Sequence, residues 1–222
     1  MNVYKYLILL LHLLLVVACH EESVQAVPLE RVKKGSSLYC PVTINGHSFR
    51  FLIDTGCECT CMEYSRAKEA GILPTDSCKK DFFLFDKDWS GMSYFCQTRI
   101  GVGCMSVVDN LFFYNYPNSL SISDNAGADG ILGMDILSHW NWCMDLKNDS
   151  LWFSSRGRDF PVKGEASLTL DVLQLGIYAH ILLPDSTRQL LQLDTGCSMF
   201  AGLYDYSFSS GVVLSDSLLH EL

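Results

Sequence analysis

The sequence predicts an all-β protein with one or two short helices, in which one domain is followed by a partial second copy of itself. Short apolar runs with β-type alternation recur along the chain, and turn dipeptides such as Asn45-Gly46 separate them. The segments 38–57 and 177–197 share one layout: two apolar runs and a polar turn lead into Asp-Thr-Gly-Cys. This internal repeat indicates a duplicated β unit.

Length and composition limit the classes of protein that the chain can belong to. Its 222 residues, of which 49% are hydrophobic, are enough for a packed core in one large domain or two small ones. The formal net charge of −9 argues against nucleic acid or an anionic membrane surface as the main partner.

The N-terminal segment has the pattern of an export signal. An apolar stretch from Tyr6 to Ala18 is too short to span a bilayer, so residues 1–18 are predicted to be a signal peptide. The adjoining Val-Val-Ala-Cys resembles a bacterial lipoprotein box, in which Cys19 would be lipidated. An ordinary cleaved signal peptide or an uncleaved anchor is the alternative. We expect an exported protein of the periplasm or cell envelope, in contact with the membrane only through a lipid anchor or the signal segment.

The ten cysteines suit an oxidising compartment but do not form the pattern of a disulfide framework. Without Cys19 their number is odd, and Cys57, Cys59 and Cys61 alternate along one extended segment. Zinc sites favour wider gaps and a second ligand pair. The sequence therefore predicts no metal site, and thiols that are buried or adventitiously paired.

The first half of the predicted domain begins with a hairpin. Residues 19–36 are expected to be a leader or linker, with order beginning near Ser37. Two apolar runs around Asn45-Gly46 then predict strand, turn and strand, which lead directly into Asp54.

The elements after this hairpin alternate between β structure and short helices. Helix formers end at Gly71, which is typical of a helix with a C-terminal glycine. From Asp81 to Pro117 the pattern is β again. A brief helix is predicted from Asp135 to about His139, with Asp135 as its capping residue, and a hairpin around 147–149 closes the unit.

The repeat sets the expected domain boundaries. We expect a domain over residues 37–155, a polar linker with Gly and Pro over 156–167, and a partial second lobe over 168–222. Asp54 and Asp194 are 140 residues apart, about the size of one small β domain.

The repeated triplet carries a family resemblance. One Asp-Thr-Gly is expected by chance in about one chain of this length in twenty, but two on duplicated hairpins are not. With Asp-Gly-Ile-Leu-Gly-Met-Asp, whose Ile131 lies 77 residues after Asp54, they resemble the aspartic peptidases, in particular the retropepsin-like families of bacteria. The resemblance covers most of residues 37–155, and residues 168–208 repeat its opening third. It implies a retropepsin-like domain of the closed β-barrel type.

The resemblance also implies a role for each motif residue. Asp54 and Asp194 would be catalytic. The residues that would support them are Thr55, Gly56, Thr195, Gly196, Ile131, Leu132 and Gly133: the threonines would lock the two loops together, the glycines after them would allow tight turns, and Ile131 to Gly133 would form an apolar strand behind the loops.

The flap of this family, a hairpin that closes over substrate, would fall near residues 86–94. Trp89, Ser90 and Gly91 would lie close to its tip and bind substrate. An ordinary turn in a β-meander is the alternative.

The implied activity is that of an aspartic endopeptidase acting on polypeptides. Two adjacent carboxylates would share one proton: the ionised one takes a proton from water, and the protonated one donates to the developing oxyanion. This chemistry requires no metal and no other cofactor.

Three arrangements remain open at this point. Only 28 residues follow Asp194, and Ile-Leu-Gly occurs once. The chain is therefore expected to be a truncated two-lobed enzyme that pairs Asp54 with Asp194, or a homodimer that pairs Asp54 with Asp54 of a second chain. The third arrangement is a catalytically inactive, surface-anchored β-rich binding protein on the same fold.

Overall fold

The computed structural model describes residues 25–31, 38–84, 87–118, 127–154, 160, 170–173, 176–182 and 186–196. Its strands are β1 (Gln25–Pro28), β2 (Glu30–Arg31), β3 (Leu38–Ile44), β4 (His47–Ile53), β5 (Cys61–Glu63), β6 (Asp76–Leu84), β7 (Lys87–Val102), β8 (Met105–Tyr114), β9 (Gly130–Leu132), β10 (Asn141–Asp145), β11 (Ser150–Ser154), β12 (Leu170–Leu173), β13 (Gly176–Leu182) and β14 (Arg188–Gln192). Its helices are α1 (Tyr64–Glu69) and α2 (Met134–Leu137). Within the described residues, no helix is long and apolar enough to cross a membrane.

Six strands close into a barrel. Their order is β3, β4, β9, β5, β8 and β7, and β7 returns to β3 where Thr43 lies opposite Gly101 and Ile44 opposite Ile100. Strand β2 extends the barrel sheet beside β3, and β6 extends it beside β7. The predicted all-β class, with a closed barrel and short helices, is confirmed.

Turn chemistry fixes the first hairpin. Ile44 pairs with His47, so Asn45-Gly46 forms a two-residue turn in which both residues have left-handed backbones, with φ of 50° and 82°. Asparagine and glycine are the residues that tolerate this geometry. The predicted hairpin is confirmed. Its second strand, β4, ends at Ile53, immediately before Asp54.

The barrel interior is a packed apolar core. Its largest described cluster includes alternate residues of β3 and β4, and α2 adds Ile136 and Leu137, both fully buried. Ile177 of β13 packs into the same core from the second copy. Burial of this surface is the main driving force for folding.

Glycine at position 130 allows three strands to meet behind the Asp54 loop. Strand β9 runs parallel to β4 and antiparallel to β5. A Cβ atom at Gly130 would lie 2.5 Å from the Phe51 ring and 2.6 Å from the Cys61 carbonyl oxygen. Any side chain there would separate β9 from its neighbours.

The leader predicted over residues 19–36 is wrong for its described part. Strand β1 pairs with β11, β2 pairs with β3, and Val27 and Leu29 are buried in the core. The backbone N–H of Leu29 donates to the Asp149 carbonyl at 2.8 Å. Charged residues dominate this segment, so its apolar pattern was not recognised. Val27 and Leu29 are two residues apart, which is the spacing of one face of a strand.

The hairpin of β6 and β7 corrects the predicted flap tip. Leu84 pairs with Lys87 at the described end of the hairpin, and residues 85 and 86 lie outside the described residues. Trp89, Ser90 and Gly91 lie within β7, where their backbones pair with residues 80–82 of β6. The sequence placed the turn too late because Ser-Gly is itself a turn dipeptide.

The second copy is present as a three-stranded antiparallel sheet of β12, β13 and β14. Strands β13 and β14 repeat the β3–β4 hairpin with a longer connection, because Leu182 pairs with Arg188. In the described part of the chain this sheet shares no strand pairing with the barrel. The hairpin of β10 and β11 turns at Asp149, with φ of 49°, as predicted.

The N-terminal strands should contribute measurably to stability. Leu29 is 4% exposed, so we expect Leu29→Ala to lower the free energy of unfolding by about 2–4 kcal/mol through lost burial and a residual cavity. Urea unfolding measures this. Leu73→Ala is the control, because Leu73 is 52% exposed and its truncation should change the free energy by less than about 0.5 kcal/mol. Equal effects of the two variants would show that β1 and β2 are not part of the core.

Candidate active site

The first loop of the candidate site begins where β4 ends. The backbone N–H of Asp54 donates to the Leu132 carbonyl of β9 at 3.1 Å, which extends the β4–β9 pairing by one residue. The chain then turns: the N–H of Gly56 donates to Asp54 Oδ1 at 2.9 Å, and the N–H of Cys57 to the Asp54 carbonyl at 3.3 Å. The Asp54 carboxylate is therefore held by its own loop.

The second loop has the same local geometry. After β14, the N–H of Leu193 donates to the Ile177 carbonyl at 2.8 Å. The N–H of Gly196 donates to Asp194 Oδ1 at 2.8 Å, as that of Gly56 does to Asp54. The sequence repeat is thus also a repeat of hydrogen bonding.

Four hydrogen bonds join the two loops through their threonines. The backbone N–H of each of Thr55 and Thr195 donates to the hydroxyl oxygen of the other at 3.1 Å. The Thr55 hydroxyl donates to the Leu193 carbonyl at 2.5 Å, and the Thr195 hydroxyl donates to the Ile53 carbonyl at 2.8 Å. Each threonine uses its N–H and its hydroxyl in the same way, so a local two-fold symmetry relates the loops.

The two glycines bring the carboxylates together. A Cβ atom at Gly56 would lie 2.5 Å from Asp194 Cγ, and one at Gly196 would lie 2.2 Å from Asp54 Cγ. Each glycine thus packs directly against the carboxylate of the opposite loop. Even alanine at either position would push the two carboxylates apart.

The environment of Asp54 favours its protonated form. Its side chain is 8% exposed. Burial raises the pKa of Asp54 to about 7, and the charge of Asp194 and a hydrogen bond to it act in the same direction. The backbone N–H groups of Gly56 and Cys57 oppose this by stabilising the carboxylate. The net result is that Asp54 keeps its proton to a higher pH than an ordinary aspartate, because its pKa is raised.

Strand β9 supports the Asp54 loop from behind. Ile131 is 7% exposed and Leu132 is fully buried. A Cβ atom at Gly133 would lie 2.7 Å from the carbonyl carbon of Cys59 and 2.9 Å from the carbonyl oxygen of Cys57. The structure therefore brings all three residues behind the loop, where the sequence placed them.

Asp135 has a larger role than the helix cap predicted for it. The N-cap residue of α2 is Gly133, and no side chain caps that helix. The Asp135 carboxylate instead accepts from the Thr60 N–H at 2.8 Å and from the Thr60 hydroxyl at 2.6 Å. Thr60 in turn accepts from the N–H of Gly133 at 3.0 Å. Asp135 thereby fixes the chain segment that follows the Asp54 loop.

A lysine links the β6–β7 hairpin to this segment. The Lys80 ammonium of β6 donates to the sulfur of Cys59 and lies 4.6 Å from the centre of the Phe112 ring. No sequence pattern indicates this contact, because it depends on the position of β6 beside β7 in the folded sheet. Cys19 lies outside the described residues. Within those residues, no group of three or more His, Cys, Asp or Glu could hold a metal ion.

Part of the chain, which includes the Asp54 loop, is similar to known proteins. Residues 40–136 match the family model described as aspartyl protease. DNA damage-inducible protein 1 of Neurospora crassa is 27% identical over 135 residues, which are 59% of this chain and 28% of that protein. Protein DDI1 homolog 2 of Homo sapiens is 25% identical over 127 residues, 54% of this chain and 28% of that protein. The chain thus spans less than a third of the length of these relatives.

Among solved structures, a retropepsin-like aspartic protease from Rickettsia conorii is similar, with a TM-score of 0.42 and 15% identity. The similarity covers 59% of this chain and 89% of that one. The closed barrel and the two short helices agree with the predicted all-β class, and residues 40–136 of this fold are the part that matches the aspartyl protease model.

The buried carboxylate should make stability depend on pH. The pKa of Asp54 in the folded chain, about 7, lies above the value of about 4 in an unfolded chain. Between these values the folded state binds more protons, so this group stabilises the fold at low pH and its contribution is lost as pH rises through about 7. Asp54→Asn does not titrate. As pH rises from about 4.5 to 7.5, the free energy of unfolding of this variant should therefore increase relative to that of wild type, by at most about 4 kcal/mol.

Urea unfolding of both proteins at several pH values measures this difference. Asp145→Asn is the matched control, since hydrogen bonds, first of all from Asn148, lower the pKa of Asp145. The contribution of Asp145 to stability therefore changes only below the pKa of an unfolded aspartate. The free energy of unfolding of Asp145→Asn should differ from that of wild type by a constant amount between about pH 4.5 and 7.5. A constant difference for Asp54→Asn as well would contradict a raised pKa at Asp54.

Proposed function

We propose that this chain, which carries an aspartyl protease domain over residues 40–136, is an aspartic endopeptidase whose catalytic pair is Asp54 and Asp194. The observation that carries the proposal is the reciprocal hydrogen bonding of Thr55 and Thr195, which holds both loops of one chain together. Aspartic peptidase chemistry needs two carboxylates close enough to share a proton. The packing of Gly56 and Gly196 against the opposite carboxylates supports that closeness.

The pair would act on a water molecule bound between the carboxylates. The ionised carboxylate takes a proton from this water as it attacks the peptide carbonyl, and the protonated carboxylate donates to the oxyanion that forms. The raised pKa of Asp54 favours the presence of one shared proton near neutral pH. The backbone N–H groups at Gly56 and Gly196 orient the carboxylates for both steps. The substrate class would be polypeptides.

An intramolecular pair fits the geometry better than a homodimer. Asp194 has its own Asp-Thr-Gly loop, and the hydroxyl of each threonine donates to the residue before the opposite aspartate. These bonds use the backbone N–H and the hydroxyl of Thr55. A second chain would need the same two groups to form the same hydrogen bonds with its own Asp54 loop. A homodimer that pairs two Asp54 residues therefore requires the second loop to leave its present position.

The β6–β7 hairpin would cover the bound polypeptide. The Lys80 contact to Cys59 places this hairpin beside the Asp54 loop. Trp89, Ser90 and Gly91 would then meet substrate from within β7, near the turn but not at its tip. Export of the chain, and lipidation of Cys19, stay predictions of the sequence.

A binding protein without catalytic activity is the second candidate function. The observation that favours it is the apolar surface of the second sheet, where Val172 is 62% and Leu182 is 67% exposed. Apolar side chains that are exposed to solvent can contribute to protein interaction surfaces when they adjoin one another. The same surface fits the peptidase proposal if it binds part of a polypeptide substrate.

Separate substitutions of the two aspartates test the proposal. Cleavage of a denatured protein such as casein is the measurement, between about pH 4 and 7, the range over which the pair is expected to share a proton. Asp54→Asn and Asp194→Asn should each lower kcat at least about 1,000-fold, because neither carboxylate can act alone. Asp171→Asn is the control, since this aspartate lies on β12 beside His180, and it should cleave like wild type.

Two results would overturn parts of this account. If only Asp54→Asn abolishes cleavage, the pair is not Asp54 with Asp194. If folded wild type cleaves nothing and binds no transition-state analogue of peptide hydrolysis, the chain is not a peptidase and the binding function is the better description.

A further inference from the structure

Two cysteine side chains beside the Asp54 loop share one side of the chain. Cys57 and Cys61 both pack against a small apolar cluster formed by Tyr39, Leu52 and Ile131. Both are only partly buried. The chain bends at Glu58 and Cys59 between them, which turns Cys61 back toward Cys57.

The thiol between them in sequence has a different environment. Cys59 is 7% exposed, and its sulfur accepts a hydrogen bond from the Lys80 ammonium. The three cysteines therefore divide into a pair against the apolar cluster and a single residue that contacts Lys80.

The two thiols of the pair are in contact. A hydrogen bond joins the Cys61 side chain to the Cys57 sulfur, and the Cys57 thiol donates to the Cys59 carbonyl at 3.1 Å. Both cysteines are free. Contact between two thiols on one face is the arrangement from which a disulfide forms with small side-chain rotations.

The backbone on either side of the pair is fixed. The Cys57 carbonyl accepts from the N–H of Met134 at 2.8 Å. Cys61 belongs to β5, where it pairs with Phe112 on one side and Ile131 on the other. The two sulfurs therefore stay close together.

We propose that Cys57 and Cys61 are a redox-sensitive pair that forms an intramolecular disulfide next to the catalytic loop, while Cys59 stays reduced. The oxidant would be a small disulfide such as oxidised glutathione. The Cys57 thiolate attacks one sulfur of this molecule, forms a mixed disulfide and releases one glutathione thiolate. The Cys61 thiolate then attacks the Cys57 sulfur and releases the second glutathione. Two protein thiols lose two protons and two electrons, and the glutathione disulfide gains them.

Cys57 is the better first nucleophile. The hydrogen bond with Cys57, and after it desolvation, hold the pKa of Cys61 well above its ordinary value, so little of the Cys61 thiolate exists until the mixed disulfide forms. This disulfide would close a short loop around Glu58 to Thr60, the segment that Asp135 and Gly133 already hold. The inference does not rest on peptidase activity, because the bond can be detected directly.

Mass spectrometry of one tryptic peptide tests the inference. Trypsin cuts after Arg50 and after Arg66, so Phe51–Arg66 contains all three cysteines and no other basic residue. The folded full chain is incubated with oxidised glutathione, quenched with acid, alkylated with iodoacetamide and digested. We expect this peptide to be lighter by two hydrogen atoms and to carry one alkyl group, on Cys59. Dithiothreitol before alkylation should restore three alkyl groups.

Variants and a denatured control make the outcome specific. Cys59→Ser should still form the disulfide, whereas Cys57→Ser and Cys61→Ser should not. The same oxidation in concentrated urea should give mixed pairings, since the fold no longer selects the partners. Three alkyl groups after oxidation of folded wild type would overturn the inference, as would a bond to Cys59 or to another peptide, or a glutathione that stays on Cys57.

Discussion

The reciprocal hydrogen bonding of Thr55 and Thr195 is the constraint on which the candidate site depends. The barrel and the second sheet share no strand pairing among the described residues, and Ile177 is the only second-copy residue in the described core cluster. Four hydrogen bonds join the two loops, each with a net value of about 1 kcal/mol. All four bonds involve a threonine hydroxyl, since each hydroxyl accepts one bond and donates another.

This interlock explains the chemistry of the aspartates. Because the loops are held together, each glycine packs against the opposite carboxylate, and no larger residue fits at Gly56 or Gly196. Burial, together with the nearby charge of Asp194, raises the pKa of Asp54 to about 7. The close approach of the two carboxylates therefore follows from packing around two threonines and two glycines.

Much of the fold could be predicted from local chemistry. Asn45-Gly46 was predictable because few dipeptides accept two left-handed residues, and the repeat followed directly from two similar segments. Val27 and Leu29 were missed because charged neighbours dominate their segment, although their spacing fits a buried strand face. The error in the hairpin turn has a similar origin, since Ser90-Gly91 is turn-like in sequence yet lies within β7.

The contacts between distant segments could not be predicted. Asp135 in Gly-Met-Asp looks like a helix cap, and only the closeness of β9 to the Asp54 loop shows that it holds Thr60. The Lys80 contact to Cys59 likewise depends on the way the β6–β7 hairpin folds. Both interactions are set by the closure of the barrel.

The central claim is that one chain supplies both aspartates, and the dependence of specific activity on protein concentration tests it most directly. An intramolecular pair predicts that cleavage per mole of chain stays constant on dilution over about three orders of magnitude, from micromolar to nanomolar, because no association step is involved. A specific activity that falls in proportion to dilution, and recovers when the protein is concentrated again, would show that the active form is a dimer and would contradict the account.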